Sequence, residues 1–395
     1  MKRVCSIFQI LLLICLVTTS IAGQAPAGVP EAARAPTRVP GVDDVIDAAI
    51  GDHFFVVARG DGHVVSWGYN NFGQLGNGRV GATAGSEAGK TMGFVVQGTP
   101  APVEGLADVI GVAAGGEHAL AVRRDGSVWG WGSNGSGQLA LGKTNRGANS
   151  HPLLIPGIQH ATAVAARAST SYALLADGTI LGWGDRLWRV NGRAVSSETP
   201  IPLPTVRDAV AIRAGQPSLA LLRSGHVAVW GTGLLGDGGP AQQDYAAGTT
   251  VQPVVVVGVD DAVAIAAGAS QSAIVRKDGS VGVWGDNGNG GLGLDRPAAG
   301  AGSDVRVPTK IAGITNAVDI AMASGSSVVA SDGSLRTWGD ARLGATGRNG
   351  IERVMKPTAV PGVSSLVRVW GSAYSNLGLT RDGHLLAWGS VFLAP

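Results

Sequence analysis

The chain has 395 residues, a formal net charge of +2, 62 glycines, and ten tryptophans against four tyrosines and six phenylalanines. Near-neutrality gives no electrostatic footprint for nucleic acid or an anionic membrane, and two cysteines are too few for a disulfide framework. The glycine share, about twice the average, favours many turns over long helices, and the tryptophan excess points to one motif being copied.

The first 22 residues read as a secretory signal. Lys2 and Arg3 precede an apolar run from Ile7 to Val17, and Ser20 and Ala22 fit the small-residue pair of a signal peptidase site. The run is shorter than the ~20 apolar residues of a spanning helix, and Ile14 is too bulky to precede a lipidated Cys15. Cleavage after Ala22 is therefore expected over an anchor or a lipoprotein. Cys5 and Cys15 leave with the leader, and so do Lys2 and Arg3, which makes basic and acidic residues equal in number. The mature chain is expected to be secreted or periplasmic and free of disulfides. Residues 23–35 read as a linker and 36–395 as one repeat domain.

From residue 36 onward one unit recurs seven times. Trp-Gly occurs at Trp67, Trp131, Trp183, Trp230, Trp284, Trp338 and Trp388, 47 to 64 residues apart, a spacing in the range of propeller blades. Six residues before each stands a turn dipeptide: Asp-Gly at Asp61, Asp125, Asp177, Asp278, Asp332 and Asp382, and Ser-Gly at Ser224. Asp-Gly between apolar alternations signals a hairpin, because both turn residues tolerate positive φ. The segment ALAVRRDGSVWGWG from Ala119 to Gly132 is an example. A strand precedes each hairpin, as in VIGVAAG from Val109 and AVAIAAG from Ala262, and the small residues at its end suit crowding around an axis. A further strand, Pro-x-x-Val/Ile-x-Gly-Val/Ile, centres near Val39, Val103, Ile155, Leu203, Val256, Ile311 and Val360. The expected fold is all-β, a seven-bladed β-propeller with four antiparallel strands per blade. The hairpin ending at Trp388 lacks its fourth strand, and Pro36 to Val42 is such a strand without a hairpin. Pairing them closes the last blade with the N-terminal strand and removes an open edge.

The pattern A-A-G-x-x-H-x-x-A-L-x-x-D-G-x-V-x-x-W-G-x-N-x-x-G-Q-L-G is closest at Ala113 to Leu139 and in DGHVVSWGYNNFGQLG from Asp61 to Gly76. It resembles the repeat of the regulator of chromosome condensation family, in its secreted bacterial branch, over about residues 36–395. The third copy departs most, with DRLWRVNG and Trp188 after Trp183-Gly184. The fourth, with Ser224 and GTGLLGDGG, is also eroded. The resemblance implies a propeller whose faces dock proteins. The founding member exchanges nucleotide on a Ran-type GTPase and binds chromatin; a signal peptide separates this chain from that partner, so the fold carries over and that activity does not. The propeller-type β-lactamase inhibitors of soil bacteria resemble it better and present aromatic residues at the A-G-x-x-H turns. Here those turns hold His53 and Phe54, Glu117 and His118, Pro217, Gln271 and Tyr374, few of the anchors that hot spots need.

Catalytic patterns are sparse. Gly288–Gly293 and Gly130–Gly135 satisfy G-x-G-x-x-G, but neither opens a helix in a βαβ unit. Gly89-Lys90-Thr91 resembles the end of a phosphate loop, yet Ala84 stands where that loop needs glycine. No G-x-S-x-G elbow occurs. The repeat histidine of His118 is Phe54, Thr170, Gln271 and Ser375 in other copies, so no metal ring forms. The Asp-Gly aspartates sit on separate blades as turn formers. A propeller lyase or glycosidase would need acids paired near the axis, where Arg167 and Arg213 read as charges without an acidic partner. No enzyme activity, cofactor or metal is expected.

Blade topology puts the A-G-x-x-H turns and the loops after Trp-Gly on one face, and the Asp-Gly tips and Pro-Gly-Val turns on the other. The first face carries the long insertions, the largest from Arg79 to Thr99 with Lys90, Met92 and Phe94. The Trp-Gly tryptophans read as packing between blades, and Trp129 and Trp370 as core. Trp188, between Arg186 and Arg189 in a loop, reads as a contact. The expected partner-binding residues are His53, Phe54, Lys90, Met92, Phe94, Glu117, His118, Arg186, Trp188, Arg189 and Tyr374, with Phe54, His118 and Tyr374 in one patch. The expected function is a secreted, monomeric, non-catalytic protein-binding scaffold without nucleic-acid or membrane partners. A cell-envelope or glycan binder, and an inhibitor of a secreted enzyme such as a β-lactamase, are the alternatives.

Overall fold

The computed structural model describes residues 33–81, 96–142, 145–190, 193–241, 253–288, 290–295, 304–348, 353–373 and 375–391. The expected signal peptide lies outside these residues, as does most of the expected linker.

Seven four-stranded antiparallel sheets make the seven blades, six of them from four consecutive strands in sequential order. In blade 1 the inner strand Val45–Ile50 leads to the hairpin strands Phe54–Arg59 and Val64–Tyr69 and the outer strand Val96–Pro102. Blade 7 takes its outer strand from the other end of the chain. Ala33–Arg38 pairs Leu385–Gly389 antiparallel, with Ala33 opposite Gly389 and Thr37 opposite Ala387. That strand begins inside the stretch expected as linker.

The repeated residues hold the ring together. In all seven copies the glycine of the hairpin tip has a positive φ, from +74° to +87°. Its carbonyl accepts a hydrogen bond from the first residue of the next blade's inner strand, as in Val109 N to Gly62 O at 3.0 Å and Ala262 N to Gly225 O at 3.0 Å. The same bond from Val45 N to Gly383 O, at 3.3 Å, joins blade 7 to blade 1. The apolar residue centring each fourth-strand motif is buried, and its N–H donates to the start of the third strand in its own blade, as in Val103 to Val64 and Val39 to Leu385.

All seven Trp-Gly tryptophans are fully buried. Four of the indoles donate to a carbonyl of the preceding blade: Trp67 to Val391, Trp131 to Gln74, Trp183 to Gln138 and Trp338 to Gly291, at 2.8–3.1 Å. Packing between blades is thus their role. Trp230 finds the Tyr172 hydroxyl instead, at 3.1 Å, and that hydroxyl in turn donates to Leu187 O of blade 3. Trp129 and Trp370 are half-buried.

Each inner strand carries a bulge at its second residue: Ile46, Ile110, Thr162, Val210, Val263, Val318 and Val367 have no register partner. A bulge re-aims neighbouring side chains. The seven inner strands enclose a channel of about 690 Å3, and in blades 1 to 3 the bulge residue and the one after it, as with Ile46 and Asp47, are among its lining.

Candidate interaction face and axial channel

The two faces follow from the strand order. Inner strands start at the Asp-Gly face and end at the loop face, where the A-G-x-x-H turns and the loops after Trp-Gly meet.

On the loop face, His53 is exposed with φ +69°, its ring tilted against Tyr69 at 5.1 Å between centroids. Glu117 is also exposed. Partial desolvation, helped by the neighbouring Asp52 carboxylate, pushes its carboxyl above the usual range. Arg186 is exposed beside Asp185 at 3.6 Å. These three stand where a partner could touch them.

Phe54, His118 and Trp188 are corrected by their burial. Phe54 is 0% exposed and belongs to a core cluster with Val112, Ala119 and Trp131 of blade 2. His118 is also 0% exposed, and its Nε2 lies 2.8 Å from Ser171 Oγ of blade 3. Burial depresses its pKa to about 3, so the ring is neutral at physiological pH. Both rings plug the seam to the next blade, because they head a strand whose side chains alternate and this position faces the neighbouring blade. Trp188 lies not in a loop but in the strand Ile180–Val190, which pairs Arg193–Pro202 as a long hairpin. Its indole is 7% exposed, in a cluster with Tyr172, Leu203 and Trp230. Arg189 belongs to the same strand. Lys90, Met92, Phe94 and Tyr374 lie outside the described residues. Of the aromatic patch expected of Phe54, His118 and Tyr374, the first two are thus buried, and the third lies outside the described residues.

The inner strands hold charges that sequence reasoning missed, and two of them, Asp47 and Arg368, line the channel. The third residue of the inner strand is Asp319 in blade 6, Arg368 in blade 7 and Asp47 in blade 1, against glycine or alanine in the other four. Arg368 lies 3.5 Å from Asp47 and stacks over Trp370 at 4.9 Å. Arg167 and Arg213 therefore do share the channel with acids. Each carboxylate also ties two blades together: Asp47 Oδ2 accepts from Val112 N at 3.0 Å, and Asp319 Oδ2 from Val369 N at 2.9 Å. Desolvation raises both carboxyl pKa values, with Arg368 and Arg213 opposing. This bonding to the backbone of the next blade is a structural use of the two acids. The available signal was a polar third residue in the apolar segments VIDAAI, AVDIA and LVRVW. Among the described residues no group of three or more His, Cys, Asp or Glu could hold a metal ion.

Two descriptions of the regulator of chromosome condensation (RCC1) repeat match the chain, one at residues 45–74 and 109–138, the other at 61–122, 125–174 and 278–330. The chain carries RCC1 repeats over these segments. The human E3 ubiquitin-protein ligase HERC2 is 27% identical over 355 residues, which is 86% of this chain and 7% of HERC2. The RCC1-repeat chain thus spans a small fraction of that relative's length. Among solved structures, Prp20p of Saccharomyces cerevisiae superposes with a TM-score of 0.67 at 21% identity, covering 87% of this chain and 81% of Prp20p. Human WBSCR16 superposes at 0.69 and 21%, covering 90% of each chain. At such identities the structural likeness shows the fold.

Proposed function

We propose that this RCC1-repeat protein is a secreted, non-catalytic scaffold that docks a protein partner on its loop face. The observation behind this reading is the asymmetry of the faces. On the Asp-Gly face all seven tips are engaged in bonds to the next blade, whereas the loop face presents His53, Glu117 and Arg186 to solvent. Prp20p of similar fold has binding properties to Gsp1p and histones, which supports docking as the reading for this chain. The segment from Lys2 to Ala22 supports export and argues for a partner outside the cell.

Two experiments test the reading. N-terminal sequencing of the exported protein should begin at Gly23; a mature chain retaining Met1 refutes secretion. For docking, the chain is tethered through a single cysteine, either at the Asp-Gly face by His226→Cys or at the loop face by Glu117→Cys. A partner from the secreted fraction should be retained only when the loop face is free. Equal retention in both orientations, or retention only through the Asp-Gly face, assigns the wrong face.

A further inference from the structure

The junction between blades 3 and 4 is built differently from its neighbours. Six residues after the start of the inner strand stand Gly51, Gly115, Gly215 and Gly268 in blades 1, 2, 4 and 5. In blades 1 and 2 that glycine makes room for the ring that heads the following strand. A Cβ on Gly51 would lie 2.0 Å from a ring carbon of Phe54, and one on Gly115 would lie 2.2 Å from a ring carbon of His118. Blade 3 reverses the pair: Arg167 takes the glycine position and Thr170 takes the ring position. Register fixes the equivalence, since Phe54, His118 and Thr170 each oppose the glycine of their own Trp-Gly, namely Gly68, Gly132 and Gly184.

Loss of the ring leaves the seam open. A cleft of about 240 Å3 lies there, lined by Arg167, Thr170, Tyr172, Trp188, Gln216 and Thr232 among others. The backbone reflects the same break. On the loop face Asp52 N donates to Gly116 O, Gly116 N to Ala168 O, Gln216 N to Gly268 O, and Ser324 N to Ala373 O. Those bonds tie blades 1 to 2, 2 to 3, 4 to 5 and 6 to 7; among the described residues no such bond between these turns ties 3 to 4, 5 to 6 or 7 to 1, and of these three junctions the one between blades 3 and 4 holds the cleft.

Arg167 sits where the cleft meets the axial channel and lines both. Burial withdraws water from its guanidinium and lowers its pKa, only partly opposed by Asp52. Among the described residues it makes no ion pair and donates no side-chain hydrogen bond. A guanidinium short of both water and carboxylate is a site for an anion, and its planar fork matches a carboxylate. Asp185 and Arg186 also line the cleft but pair with each other at 3.6 Å, and Asp185 accepts from Ser196 Oγ as well, so Arg167 remains the unmatched charge. The rest of the polar lining includes the Gln216 amide and the Thr170 and Thr232 hydroxyls, beside the aromatic side chains of Tyr172 and Trp188. That combination suits a polyol bearing one carboxylate. The volume is below the ~300–1,000 Å3 of drug-sized sites and admits one sugar ring.

We propose that the cleft between blades 3 and 4 binds an acidic sugar, a single hexuronate unit whose carboxylate is held by Arg167. This activity goes beyond protein docking and needs no partner chain.

Calorimetric titration of the full chain with glucuronate, glucose and acetate tests it. Glucuronate should bind, with glucose and acetate each weaker by about tenfold or more, the range expected for loss of one charge-assisted contact or of the hydroxyl contacts. Arg167→Gln should weaken glucuronate by at least about tenfold at an unchanged melting temperature. A second variant guards against a folding artefact. Combining Arg167→Gly with Thr170→His rebuilds the ring-over-glycine seam, with Ser218 placed against the new ring as Ser171 is against His118. It should keep or raise the melting temperature and abolish binding. Absence of glucuronate binding, equal binding of glucose or acetate, or binding that survives either variant overturns the proposal.

Discussion

The Asp-Gly face and the loop face are made by the same seven copies of one repeat, yet they obey different constraints. On the first, every tip glycine has the same backbone conformation and makes the same bond to the next blade, so each copy must keep its dipeptide. On the second, the connection between blades changes from copy to copy: a buried phenylalanine in blade 1, a buried histidine in blade 2, a threonine facing an open cleft in blade 3. A face whose hydrogen bonds close the ring has little freedom to vary. A face whose bonds between blades differ from copy to copy can accumulate the departures from which recognition is built.

The sharpest way to break this comparison is to open the ring. Val39 and Val42 are both 0% exposed, and Val39 N donates to Leu385 O at 2.8 Å. Deleting residues 33–42 removes the outer strand of blade 7 and bares the edge of Leu385–Gly389, an invitation to edge pairing. The variant should lose several kcal/mol and aggregate in size-exclusion chromatography. A monomer melting at the parental temperature would show that closure by the N-terminal strand is dispensable.

The buried rings of the loop face come next. Phe54→Ala should cost ~3–5 kcal/mol of stability, read by urea denaturation, because the ring fills the seam to blade 2. His118 adds an acid sensitivity. Its folded pKa of about 3 lies below the ordinary 6.5, so on acidification the unfolded chain takes up the proton first. Stability from the neutral ring is complete above pH ~6.5 and falls as pH drops toward ~3, by on the order of 4 kcal/mol. Asp47 and Asp319 act in the opposite sense, since their raised pKa values let the folded state bind protons first. Only the difference between two pH profiles therefore isolates the histidine. His118→Phe, which copies blade 1, should lack that acid-side loss, so its profile should diverge from the parental one below pH ~6.5; parallel profiles would remove His118 from the account.

How much of this could be read in advance depended on repetition. The tips from Asp61 to Asp382 and the tryptophans from Trp67 to Trp388 recur at one offset, and seven copies of a local rule define a blade. Phe54 and His118 fall at a turn, and a turn position alone does not say whether a ring projects to solvent or into the seam. The glycine three residues earlier, Gly51 or Gly115, carried that information, since it is the space the ring needs. Asp47, Asp319 and Arg368 went unnoticed because a bulge shifts the alternation just before them, so a simple two-residue period assigns them no definite face.

A smaller effect compares glycines of the two faces directly. Gly126, at a tip, has φ +79°, and a Cβ there would lie 2.7 Å from His160 Cα of the next blade. Gly135, in a loop after Trp-Gly, has nothing within 4 Å. Gly126→Ala should cost ~2–3 kcal/mol, from strain and displacement of the neighbouring backbone. Gly135→Ala should stay within ~0.5 kcal/mol. Equal costs in chemical denaturation would mean that the tips are not the constrained part of the ring.

The smallest expected change in stability belongs to the exposed loop-face residues, and it separates docking from folding. His53, Glu117 and Arg186 contribute no buried apolar surface, so His53→Ala, Glu117→Ala and Arg186→Ala should each leave stability within ~0.5 kcal/mol. Against a partner captured through the loop face, each should cost about 1 kcal/mol of affinity, the modest end for residues that surround a hot spot. His226→Ala, at the Asp-Gly tip of blade 4, removes a side chain of the same type with comparable exposure on the opposite face and should change neither quantity. Glu117 is the most informative of the three, because its carboxyl already carries a raised pKa from partial desolvation and Asp52. A cationic group on the partner would relieve that repulsion, so affinity should rise from acid to neutral pH as the carboxyl ionises. Glu117→Gln should remove that slope while preserving shape. If the slope persists in Glu117→Gln, or if His226→Ala weakens binding more than the three loop-face truncations, the freedom of the loop face is tolerance of drift and not recognition.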